Sequence, residues 1–178
     1  MKFKDKNLDL NRPQVMGILN VTPDSFSDGG CYARLDDATG HARKMVTEGA
    51  SIIDVGGEST RPGAQSVSEQ EELDRVIPVI ERINAELDTI ISIDTTKPAV
   101  MSHAVSAGAR MINDVSALQA NDALTMAASL AVPICIMHMQ GAPSTMQHSP
   151  TYQNVVTEVA EFLLARCDAC IGAGISSD

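Results

Sequence analysis

Aromatic residues make up only 3% of this 178-residue chain, and tryptophan is absent. Its core must therefore be built from Ile, Val, Leu, Met and Ala rather than from stacked rings. Cysteine is scarce as well, with four in the chain, too few for a disulfide framework. Cys167 and Cys170 form a C-x-x-C spacing, but no second pair stands nearby to complete a zinc site. They read as ordinary thiols along one helix. No uncharged apolar run approaches the ~18 residues of a membrane span. The opening MKFKDKNLDLNRP lacks the apolar stretch of a secretory signal. The expected compartment is the cytoplasm, with no membrane partner. Basic charge is also in deficit: 13 Lys and Arg against 23 Asp and Glu give a formal net charge of −10. That argues against a nucleic-acid partner, which selects a basic surface. A small anion held by a local Arg or Lys remains open.

What the chain does have is alternation. Short Ile- and Val-rich runs at 14–21, 51–57, 89–95, 110–115 and 132–139 predict strands covered on both faces. Helical patterns lie between and after them, near 36–49, 68–87, 97–107, 121–130 and 151–171. In the second helix Ser68 and Glu71 have the spacing of a capping box. Leu73, Val76, Ile77, Ile80, Ile83 and Leu87 then form one apolar stripe. Pro78 is expected to bend that helix, whereas Pro98 falls in the tolerated first turn of the third. Five βα units in series predict an α/β fold with a parallel sheet. A doubly wound sheet and a (β/α)8 barrel both satisfy the pattern. No G-x-G-x-x-G follows the first strand, which weakens the dinucleotide-binding version. A closed barrel typically needs ~250 residues, so five units would form an open sheet or part of a barrel.

Polar residues recur at the carboxyl ends of the predicted strands: Asn20, Asp94, Asn113 with Asp114, and His138. Glu58 to Arg61 follow the second strand in the same way. A barrel assembles its active site from such positions. In GGESTRPGA (56–64) the glycines permit close approach, Ser59 and Thr60 offer hydroxyls, and Arg61 is a fork suited to phosphate. The segment reads as an anion site or as a Gly/Pro-rich turn with an Arg in a surface ion pair. Asp94 and Asn113 together could read a heterocycle, since Asp only accepts while Asn does both. Asp94 could equally cap the helix that follows. His138, between Met137 and Met139, reads first as a packing residue and second as a ligand contact. Asn20 could lend its side-chain oxygen to Mg2+ or simply form a turn. It opens the polar loop NVTPDSFSDGG (20–30), in which Phe26 is a lid residue or a loop anchor.

MGILNVTPDSFSDGG (16–30) and IIDVGGESTRPGA (52–64) resemble the two signature segments of the dihydropteroate synthase family of pterin-binding enzymes. SIDTTKPAV (92–100), GARMINDV (108–115) and CIMHMQGAP (135–143) resemble the family's next three strand ends, in order. The resemblance implies a (β/α)8 TIM barrel, here truncated to about five βα units, with residues 1–178 as a partial domain. It implies condensation of 6-hydroxymethyl-7,8-dihydropterin diphosphate with 4-aminobenzoate, assisted by Mg2+, to give pyrophosphate and 7,8-dihydropteroate. By the same resemblance Asn20 is the metal-associated position, and Asp24 and Arg61 are catalytic. Thr22, Pro23, Ser25, Phe26, Thr60 and Arg61 surround aminobenzoate and diphosphate, Asp94 and Asn113 read the pterin, and Met137 walls its pocket. In the implied mechanism the diphosphate leaves first, and the aniline nitrogen attacks the cationic methylene carbon.

The family pattern also holds a DPG-type strand with a further pterin-binding Asp, a pterin-contacting Lys, a Ser-Arg-Lys-Ser stretch and an Arg-x-His. None of these occurs here, and Lys97, at the start of the third helix, is not expected to replace that Lys. The chain is therefore expected to have weak or no turnover by itself, without the helices of the family's homodimer contact. Sulfonamides are the expected inhibitors of the full-length enzyme. Two other readings stand beside this one: a pterin-dependent methyltransferase domain and a non-catalytic fragment.

Overall fold

A computed structural model describes residues 1–22, 31–59 and 66–177. Five parallel strands, β3 (Val15–Asn20), β4 (Ala50–Gly56), β5 (Ile90–Asp94), β6 (Met111–Asp114) and β7 (Ile134–Ile136), pair in strict chain order. Four helices connect them: α1 (Cys31–Thr47), α2 (Glu69–Glu86), α3 (Pro98–Ala107) and α4 (Ala123–Leu130), with α5 (Val155–Gly172) following β7. A doubly wound sheet reverses its strand order at a switch point. This sheet does not reverse, and that is the pattern of a (β/α)8 barrel wall.

The two faces of the sheet differ. Leu19, Ile53, Val55, Ile91, Ile93 and Ile112 face the helices and pack with Ala38, Ala42, Val76, Ile80, Ile83, Val100, Met101, Ala104 and Ala127. Residues of alternate parity face the other way. There Ile52, Ile90 and Met111 pack on fully buried Phe3. Phe3 belongs to an antiparallel hairpin, β1 (Lys2–Phe3) and β2 (Lys6–Asn7), that the sequence patterns did not foretell. The hairpin stops the amino-terminal end of that inner face and leaves its carboxyl end open.

Four of the strand runs read from sequence overshoot at both ends, and the second sits one residue late on β4; β7 keeps only three of the expected eight. α1 begins five residues earlier than its periodicity suggested. α5 begins four later, because Asn154 caps it by accepting from Thr157 N at 3.1 Å. Ser68 caps α2 as expected by accepting from Glu71 N. The Glu71 carboxylate instead pairs with Arg75. α2 runs unbroken through Pro78. Cys167 and Cys170 lie along α5, as expected.

Candidate active site

Asn20, Gly56, Asp94, Asn113 and Cys135 are successive register partners across all five strands. Parallel pairing thus places one residue from every strand in a single row near the carboxyl ends. Side chains two apart on a strand share a face, so each lower layer can be read by counting back. The next layer is Ile18, Asp54, Ser92 and Met111, and below it lie Met16, Ile52 and Ile90. The inner face is apolar at its stoppered end and polar at its open end. A ligand entering there meets hydrogen-bonding groups above a dry floor.

Gly56 opens a gap in the row. A Cβ there would sit 3.5 Å from Asp94 Oδ2 and 3.7 Å from Asn20 Oδ1, so its absence leaves two oxygens flanking a space. Beneath, Asp54 is only 4% exposed. Its Oδ2 accepts from Asn113 Nδ2 at 2.9 Å, while its Oδ1 is buried without a hydrogen-bond partner among the described residues. Ser92 faces it across the strand pair, near enough to lower its pKa but not in good hydrogen-bond geometry. Burial outweighs these neighbours and holds the Asp54 pKa above the usual carboxylate range. Asp94 goes further, to about 7, through burial first and then repulsion from Asp54, Glu72, Asp114 and Glu58. Burial, with the charges of Asp54 and Asp94, also raises the Cys135 thiol.

Gly57 and Glu58, just after β4, are held from two helices. A Cβ on Gly57 would meet Val76 Cγ1 at 2.8 Å and Glu72 Cγ at 2.9 Å, so only glycine permits this approach to α2. Arg75 Nη1 donates to Gly57 O at 2.7 Å. Glu58 accepts from Val67 N at 3.2 Å through one oxygen and from Lys97 Nζ through the other. Lys97 donates also to Glu72, which is fully buried and whose Oε1 has no partner among the described residues. Burial works against the Lys97 charge, but its bonds to Glu58 and Glu72 prevail and raise its pKa. A cavity of about 180 Å3 lies between this cluster, Asp94 and Ser116.

The structure thus brings together three of the sequence-predicted site residues: Asn20, Asp94 and Asn113. Thr22, half-buried, follows β3, and Met137, half-buried, follows β7. Pro23, Asp24, Ser25, Phe26, Thr60 and Arg61 lie outside the described residues. Asp94 is not a helix cap: Lys97 holds the N-cap position of α3, and Thr95 Oγ1 accepts its N–H. Asp114 turns to the opposite face, where it accepts from Ser116 N and Leu118 N and steadies a turn with Ala117 and Leu118 at positive φ. His138 packs edge-on against Phe162 and near Tyr152, in line with its packing reading.

Asp54, Ser92, Glu72 and Lys97 escaped the sequence reading as site residues, yet signals existed. Asp54 and Ser92 stand two residues before Gly56 and Asp94 and so share their face. Glu72 lies at helical spacing from Val76, Val79, Ile80 and Ile83, inside the buried stripe.

Residues 16–178 match the family model for pterin-binding enzymes. The chain is 55% identical over 174 residues to the dihydropteroate synthase of Haemophilus influenzae, covering 98% of this chain and 63% of that protein. The Yersinia pestis dihydropteroate synthase, solved with a sulfonamide drug complex, superposes with a TM-score of 0.92 at 53% identity, over 99% of this chain and 64% of that one. The Xanthomonas albilineans enzyme with 4-aminobenzoic acid gives 0.88 at 53% identity, over 95% and 60%. The chain therefore spans roughly three-fifths of the length of the relatives it matches.

Proposed function

The chain belongs to the pterin-binding enzyme family, and from that premise we propose that the protein is a dihydropteroate synthase. It would join 6-hydroxymethyl-7,8-dihydropterin diphosphate to 4-aminobenzoate, releasing pyrophosphate and 7,8-dihydropteroate, in the cytoplasm. Residues 1–178 would form part of the barrel domain that carries this reaction. The observation that carries the reading is the row Asn20–Gly56–Asp94–Asn113 at the open end of the inner face. Support comes from the relatives solved with a sulfonamide complex and with 4-aminobenzoic acid.

Asp94 and Asn113 would hold the pterin edge, Met137 would wall the ring, and Ile52, Ile90 and Met111 would keep water from beneath it. Fixing the ring orients its methylene carbon toward the nucleophile. Arg61 would stabilise the charge of the departing diphosphate, and Asp24 the carbon that becomes cationic. Thr22, Pro23, Ser25, Phe26 and Thr60 would surround aminobenzoate and limit capture of that carbon by water.

Magnesium fits the oxygens present. Asn20 Oδ1 stands beside the Gly56 gap, and Mg2+ is commonly held by one or two protein oxygens with water and phosphate completing its shell. When bound, the ion would supply positive charge to the phosphate oxygens. A homodimer, and inhibition by sulfonamides, belong to the same proposal.

The test is an assay of pyrophosphate release. The complete gene product is expected to release pyrophosphate only when both pterin diphosphate and 4-aminobenzoate are present, and a sulfonamide should compete with the latter. No release, or methyl transfer from methyltetrahydrofolate instead, would overturn the proposal.

A further inference from the structure

We propose that Asp54 is a positioning residue that fixes the Asn113 amide with its carbonyl toward the open side of the sheet, so that the site selects a heterocycle presenting N–H donors. This rests on the pterin reading of the same site.

An asparagine amide left to itself can present either its oxygen or its nitrogen to a ligand, because a half-turn exchanges them. Here the choice is made from below. Asp54 lies in the layer beneath Gly56, almost wholly buried, and its Oδ2 accepts from Asn113 Nδ2 at 2.9 Å. An ionised carboxylate can only accept. Turning the amide over would set oxygen against oxygen in a space closed to water. Asn113 Oδ1 is therefore directed away from Asp54 as an acceptor.

The second Asp54 oxygen strengthens the same preference. Oδ1 is buried with the Ser92 hydroxyl as its neighbour across the strand pair, so the carboxylate is an acceptor on both sides and offers no donor to a turned Asn113. Asp94, the register partner of Asn113, adds carboxylate oxygens at the same level. Asn113 Oδ1 and the Asp94 oxygens stand on adjacent strands of one face, which suits a flat ring with amino and ring N–H groups. A ring offering carbonyl oxygens at those positions would meet oxygen with oxygen.

The experiment compares two ligands by calorimetric titration of the complete protein: 6-hydroxymethylpterin and its lumazine analogue, in which an oxo group replaces the 2-amino group. Wild type is expected to prefer the pterin at least tenfold. Asp54→Val should weaken pterin binding about tenfold or more and bring the preference to within threefold. The exchange Asp54→Asn/Asn113→Asp restores the hydrogen bond with donor and acceptor reversed and still presents an oxygen, so it should recover most of the preference. If Asp54→Val does not fold, Asp54→Asn alone, whose amide no longer dictates one orientation, should lose several-fold in preference relative to the exchange. A preference unchanged in Asp54→Val, whatever its loss of Tm, would make Asp54 merely structural and overturn the proposal. So would an exchange variant no better than the single substitution. A wild type that binds neither compound overturns the pterin reading itself, a result distinct from either of these.

Discussion

Replacing Lys97 by methionine should expose how strongly the open end of the sheet depends on one cation. Lys97 Nζ sits between Glu58 and Glu72, whose side chains are 28% and 1% exposed. Without the ammonium, Glu58 can turn to water. Glu72 cannot, and its Oε1 already lacks a partner among the described residues. Removing one member of a buried ion pair typically costs about 3–5 kcal/mol, whereas removing both is often neutral. Lys97→Met should therefore lose about 3–5 kcal/mol in urea unfolding at pH 7, and its Tm should fall by about 10 °C, since each kcal/mol is worth ~2–4 °C at this size. Lys97→Met/Glu72→Leu should return to within about 1 kcal/mol of wild type, a coupling that a double-mutant cycle reads directly. The pH dependence has a definite sign. The folded-state pKa of Lys97 is raised above its ordinary 10.5, so its contribution is complete below 10.5 and fades as pH climbs through the folded value. The deficit of the single variant should be present in full at pH 7 and shrink only above that window. A single variant that loses less than about 1 kcal/mol, or a double variant as unstable as the single, would refute the reasoning.

Asp94, with its folded pKa raised to about 7 from 3.8, binds its proton more tightly folded than unfolded, so stability should fall as pH rises between those values. Asp94→Asn should remove that slope and stabilise the protein by about 1–3 kcal/mol at pH 8 but less at pH 5, as read by urea unfolding at both. Gly57→Ala forces a methyl against Val76 and Glu72 and should cost about 1–3 kcal/mol in the same assay. Arg166 donates from α5 to Ala117 O at 2.8 Å and Leu118 O at 3.1 Å, across the positive-φ turn after β6. Arg166→Met should cost about 1–3 kcal/mol, because it strands those carbonyls, and hydrogen exchange should quicken at Leu118.

Much of the fold was legible because apolar runs and helical stripes carry their own periodicity. Ile90–Ile93 reads as buried strand and Val76–Ile83 as helix face before any partner is known. The barrel-like order was open from sequence, since βα alternation does not say which strands pair; the register resolved it. Phe3 was invisible, for one aromatic in a polar hairpin has no period, and it is buried only because the inner face needs a stopper. At the site, Asn20, Asp94 and Asn113 could be seen because they interrupt apolar strands at their carboxyl ends. Asp54 interrupts one too, two residues earlier, but its significance depends on Asn113, 59 positions away. Lys97, Glu58 and Glu72 are ordinary charges in one dimension, and only folding brings them together in a space that excludes water.

The central claim is that the row at the carboxyl ends of the strands holds the pterin ring. Calorimetric titration with 6-hydroxymethylpterin of wild type, Asn113→Ala and the helix-surface control Val156→Thr tests it most directly. Asn113→Ala is expected to weaken binding tenfold or more, while Val156, 75% exposed on α5, can be changed with less than a twofold effect. Equal affinity in wild type and Asn113→Ala would contradict it.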